Sequence, residues 1–88
     1  MHILKKGQAG TMQSSDLMVS VEPAETLLIE IESTVKKQFE HLIRAKLEEV
    51  LAKFGVVTGH VSVSDRGALD YAIEARLETA LQRAAGGA

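Results

Sequence analysis

With 88 residues, the chain has the size of one domain and can bury only about 60 to 65% of the surface its unfolded form exposes, so its core is small. Hydrophobic residues make up 45% and aromatics 3%, with Phe39, Phe54 and Tyr71 and no Trp; the core must be built from Val, Ile, Leu, Ala and Met, and little is left for stacking nucleic-acid bases. A net charge of −2 carries neither a basic nucleic-acid footprint nor a polyacidic tail, and the absence of cysteine excludes disulfides, thiolate metal sites and a cysteine nucleophile. The opening MHILKKGQAG is too short and too mixed for a signal peptide or a membrane span, which leads to the expectation of a cytoplasmic protein.

Residues 1–16 contain Gly7, Gly10, Thr11, Ser14 and Ser15 with little apolar periodicity, and read as a flexible leader ahead of a single α+β domain over 17–88. From Leu17, two alternating runs follow. Leu17, Val19 and Val21 share one side, Leu27, Ile29 and Ile31 another, and Pro23-Ala24-Glu25-Thr26 separates them; the pattern predicts an antiparallel hairpin with one apolar face and Pro23 at the turn. Ser33 reads as the N-cap of a helix of about five turns, with Val35, Phe39, Leu42, Ile43, Leu47, Val50, Leu51 and Phe54 on its apolar side. Lys36, Lys37, Glu40, Arg44, Glu48, Glu49 and Lys53 form a solvated face whose four-residue pairs contribute only a few tenths of a kcal/mol each.

Gly55 stops this helix, and after Gly59 the alternation of Val61 and Val63 with His60, Ser62 and Ser64 predicts a third strand. Asp65 is placed to cap a second amphipathic helix of about 17 residues, with Leu69, Ala72, Ile73, Leu77, Ala80, Leu81 and Ala84 inward. The predicted order is ββαβα: a two-layer α+β sandwich with a small, mainly antiparallel sheet covered on one face by two helices. A right-handed crossover places the third strand parallel to the second, beside it or beyond the first.

The residues that could carry chemistry are few. His2, His41 and His60 have no spacing that converges ligands on a metal, and no nucleophile-elbow signature surrounds Ser14, so neither a metal site nor a serine hydrolase is expected. Gly55 and Gly59 lack the lysine and helix start of a phosphate loop. In DRGALDYAIEAR, Asp65 and Asp70 suit a helix N-terminus and Arg76 borders the apolar stripe, which reads as capping and surface pairing, with partner docking as the alternative. Composition alone makes Ser14 and Ser15 part of a polar leader. Asp16 beside them is a fixed negative charge.

Three separated blocks, AGTMQSSDLMV (Ala9 to Val19), KKQF (Lys36 to Phe39) and DRGALDYAIEAR (Asp65 to Arg76), resemble in order and spacing those of the citrate lyase acyl carrier protein family, the gamma subunits of bacterial citrate lyase. The resemblance spans nearly the whole chain. Gln13 stands where glutamate is frequent in the family, and Glu40 follows Phe39 where glycine is frequent; neither change touches the matching serine. The resemblance implies a non-catalytic carrier, with no catalytic residue of its own, whose Ser14 bears triphosphoribosyl-dephospho-coenzyme A through a phosphodiester, Ser15 being the second-choice acceptor. It implies an arm whose thiol carries acetyl and citryl groups between the alpha (transferase) and beta (lyase) subunits of a hetero-oligomer, after loading by a prosthetic-group transferase, the holo-citrate lyase synthase. Neither nucleic acid nor membrane is an implied partner. The runner-up is a small-ligand-sensing or protein-interaction α+β module whose leader is disordered.

Overall fold

The computed structural model describes residues 1–34 and 39–86. Four strands, β1 (Gly7–Gly10), β2 (Leu17–Glu22), β3 (Leu27–Ser33) and β4 (Gly59–Asp65), and two helices, α1 (Glu40–Lys53) and α2 (Asp70–Ala84), follow in the order βββαβα. The strands form one sheet in the spatial order β1-β2-β4-β3. Two of its pairings, β1 with β2 and β2 with β4, are antiparallel, and β3 runs parallel to β4. Both helices cover one face, so the two-layer α+β sandwich with a mainly antiparallel sheet is the observed fold.

The core follows the period-two pattern of the central strands. Leu17, Val19 and Val21 of β2 lie in register with Asp65, Val63 and Val61 of β4, all buried, while Met18, Ser20, Ser62 and Ser64 face the open side. From α1, Ile43, Leu47, Val50 and Leu51 close over this surface, and from α2, Ile73, Leu77, Ala80, Leu81 and Ala84. Across the helix pair, Lys46 and Lys53 both reach Glu74, at 3.2 and 3.5 Å. At the end of α1 the Gly55 and Val56 amides donate to the Ala52 and Leu51 carbonyls, a Schellman closure that bears out the glycine stop.

Several expectations are corrected. The hairpin between β2 and β3 does not form, because β4 lies between them. Residues 23–26 contain no glycine or asparagine for a tight reversal, and they span the slot that β4 fills, with the Gly59 amide donating to the Thr26 carbonyl at 3.1 Å. Charged Glu30 and Glu32 suit β3 to the sheet edge it occupies. Ser33 ends β3, where its hydroxyl donates to Asp65 Oδ2 at 2.9 Å, and α1 begins at Glu40. Val35, Lys36 and Lys37 of the expected helix lie outside the described residues. Phe39, Leu42 and Leu69, expected inward, are exposed. Asp65 accepts from the Gly67 and Ala68 amides at 3.2 and 3.0 Å and so caps the turn before α2, whose N-cap position belongs to Leu69.

The segment 1–16, expected as a flexible leader ahead of the domain, supplies β1. Its backbone is held by small-residue packing that apolar periodicity does not register. Gly7 lies directly against the Ala80 carbonyl and the Ala84 amide and methyl, and the Leu4 and Lys5 amides donate to the Ala84 carbonyl at 2.9 and 3.0 Å. No helix among the described residues is long and apolar enough to cross a membrane. Because a Cβ on residue 7 would collide with helix backbone, Gly7→Ala is expected to cost about 2 kcal/mol through overpacking. Thermal unfolding checks this, with a drop of about 10 °C expected.

Candidate functional site

The loop 11–16 joins β1 to β2 and is the best organised polar feature of the molecule. Gly10 opens it with a φ of 100°, a left-handed turn for which glycine is suited, and the Thr11 amide closes its base on the Leu17 carbonyl at 3.1 Å. Ser14 and Ser15 occupy the tip, both exposed. Ser15 adopts a φ of 65°, a conformation a non-glycine residue holds only when its surroundings impose it.

Those surroundings are specific. The Ser15 amide donates to the Arg66 carbonyl at 2.8 Å, and the Arg66 amide donates back to the Asp16 carbonyl at 2.9 Å, tying the loop to the turn after β4. The Asp16 carboxylate gathers four donors. Arg76 of α2 grips it through Nε to Oδ1 at 3.1 Å and Nη2 to Oδ2 at 2.8 Å; the Thr11 hydroxyl donates to Oδ2 and the Leu17 amide to Oδ1, each at 2.7 Å. Among the described residues no group hydrogen-bonds the Ser14 hydroxyl. The loop thus pins its backbone and leaves that oxygen free.

Sequence reasoning placed Ser14 and Ser15 on an exposed segment but missed its anchoring. Asp16 and Arg76 stand 60 residues apart, and only the return of α2 along β1 and β2 joins them. Arg76 is a surface pairing residue, as expected, though its partner was not legible. His60 lies at the opposite end of β4, roughly 16 Å from Asp65 by strand rise, where it meets Glu30 at 2.6 Å; it is not placed to serve Ser14 as a base. A concavity of about 420 Å³ between β3 and α1, lined by Leu27, Ile29, Arg44 and Leu51 among others, opens at that same far end, where Leu27 pairs with Gly59. Among the described residues, no three His, Asp or Glu side chains converge as metal ligands.

The Arg76 guanidinium, followed by the Thr11 hydroxyl and the Leu17 amide, lowers the Asp16 pKa from 3.8 to about 2. A carboxylate depressed in the folded state contributes stability above its unfolded pKa, and that contribution is lost as pH falls through the folded value. Wild type is therefore expected to exceed Asp16→Asn in stability at pH 7, with the difference shrinking between about pH 4 and pH 2. Urea midpoints measured across that range check it; a difference that stays constant to pH 2 would refute the assignment.

The family model for ACP, the Malonate decarboxylase delta subunit (MdcD), matches residues 4–84. A citrate lyase acyl carrier protein from Haemophilus influenzae (strain PittEE) is 50% identical over 84 residues, covering 96% of this chain and 88% of the relative. One from Albidiferax ferrireducens is 50% identical over 88 residues, covering 98% and 90%, and one from Halothermothrix orenii is 44% identical over 89 residues, covering 100% and 95%. In fold, the chain matches one from a Pseudomonas malonate decarboxylase hetero-tetramer, crystallised in complex with malonate, with a TM-score of 0.72 at 20% identity, covering 92% of this chain and 84% of that one. With near full-length identity of this order, the chain belongs to the citrate lyase acyl carrier protein family and is a non-catalytic carrier subunit.

Proposed function

We propose that this chain is the acyl carrier subunit of a cytoplasmic citrate lyase, and that Ser14 Oγ is its attachment point. The observation that carries the reading is the unpartnered, exposed Ser14 hydroxyl at the tip of a loop whose neighbouring residues are all tied down. The relatives at 44 to 50% identity bear the citrate lyase name, while the malonate decarboxylase likeness stands at 20%, which favours citrate lyase.

Such a site fits a phosphodiester-linked group derived from triphosphoribosyl-dephospho-coenzyme A. A phosphodiester needs one hydroxyl oxygen with room on every side, and a hairpin tip gives that room. In the loading step, Ser14 Oγ bonds to the α-phosphorus of the donor triphosphate, the α–β phosphoanhydride bond breaks, and pyrophosphate leaves. The hydroxyl proton passes to a base of the transferase, the holo-citrate lyase synthase. When bound, the group supplies a terminal thiol that carries acyl groups as thioesters between the alpha and beta subunits of the lyase. The chain itself holds the anchor oxygen still relative to its own body, so the reach of the arm sets the effective concentration of the thioester at each partner.

Intact mass after incubation with the transferase and its donor tests the reading. Wild type and Ser15→Ala are expected to gain the mass of one phosphodiester-linked group and Ser14→Ala to gain none; incorporation that survives Ser14→Ala overturns the assignment.

A further inference from the structure

The Asp16 carboxylate raises a problem for the chemistry just proposed. It follows the two serines directly, and every phosphate-bearing donor that approaches Ser14 is a polyanion. Left bare, that charge would oppose the approach, since like charges juxtaposed at an interface disfavour association. The carboxylate is not bare: both oxygens are engaged by the planar fork of Arg76, and each accepts one further hydrogen bond. A bidentate guanidinium matches carboxylate geometry in a way a lysine cannot.

The pair also has the exposure of a local device and not of a core prop. The Arg76 side chain is 41% exposed and that of Asp16 16%, so the pair sits between the surface and the core. Its effect falls on the loop. Asp16 accepts through its backbone carbonyl from the Arg66 amide, and Ser15 donates to the Arg66 carbonyl, so the grip on the carboxylate from α2 and the grip on the backbone from the β4 turn hold one short segment from two sides. Gly67, beside this segment, adopts a φ of 95°, a left-handed conformation that suits glycine.

We infer that Arg76 is a positioning residue for loading: by pairing with Asp16 it cancels the negative charge next to the acceptor serine and fixes the loop in the form a polyanionic donor can approach. This rests on the reading of the loop as the attachment site. It assigns to Arg76, midway along α2, a task in recognition of the anionic donor, beyond surface pairing.

The test uses the purified chain, its transferase and the triphosphoribosyl-dephospho-coenzyme A donor, with initial loading rates read by intact mass across donor concentrations. Arg76→Gln leaves Asp16 uncompensated and is expected to raise the KM for the donor about tenfold, the scale of one lost charge-assisted contact, with a larger effect at low salt. Arg76→Lys, which keeps the charge but not the fork, is expected to fall between Arg76→Gln and wild type. In the double variant Asp16→Asn with Arg76→Gln no charge remains unpaired, and the donor KM is expected to return most of the way to wild type. Hydrogen exchange at the Ser15 amide should quicken in Arg76→Gln. Wild-type donor KM in Arg76→Gln overturns the inference, as does a double variant no better than the single. If Arg76→Gln does not fold, the double variant and Arg76→Lys carry the same comparison. Peptide mapping separates the two proposals: a group found on Ser15 removes the Ser14 assignment while total incorporation still reports on Arg76, whereas unchanged loading of Ser14 in every variant removes the role of Arg76 alone.

Discussion

Strand β4 lies between β2 and β3 and pairs with both, and its last residue, Asp65, is only 1% exposed. A buried carboxylate is costly unless its oxygens are satisfied, and here they accept from the Ser33 hydroxyl and from the Gly67 and Ala68 amides. Those bonds shape the turn between β4 and α2. Because the turn is shaped, Arg66 presents its amide and carbonyl to Asp16 and Ser15; because the turn ends where it does, α2 starts at Asp70 and carries Arg76 back to the loop. Removing the insertion of β4 would remove the anchors that reach the serine loop from the β4 turn, those of the Arg66 backbone.

The same arrangement explains how a short stretch poor in apolar side chains becomes part of a fold. Strand β1 offers Gly7 and Ala9 to the helix layer, and α2 answers with Ala80 and Ala84. Close approach of backbones replaces the burial of large side chains, at the cost of tolerating almost no added volume. The reward is a hairpin fixed at its base, so the serine tip stands at the end of a braced structure. For a carrier, the division of labour is then clear in physical terms: the protein defines where the arm begins, and the freedom to travel belongs to the arm.

Much of this was legible in the chain. The alternation in residues 17–21, 27–31 and 61–63 found three strands, the three- and four-residue spacing of Ile43, Leu47, Val50 and Leu51 and of Ile73, Leu77, Ala80, Leu81 and Ala84 found both helices, and the three sequence blocks pointed to the family. The weaker expectations failed where period alone was asked to decide partners or ends. Leu42 and Leu69 satisfy an apolar count yet face outward, and the bond of Ser33 to Asp65 across parallel strands is a pairing that no local pattern registers.

The sequence by itself determined three of the four strands, both helices, the α+β class and the family, because those follow from local periodicity and from short blocks read in order. Only the tertiary structure decided that β4 separates β2 from β3, that residues 7–10 join the sheet, and that Asp16 meets Arg76. Each of these depends on contacts between segments far apart in the chain, where backbone hydrogen bonds, small-residue packing and charge pairing choose among partners that the pattern along the chain leaves equivalent.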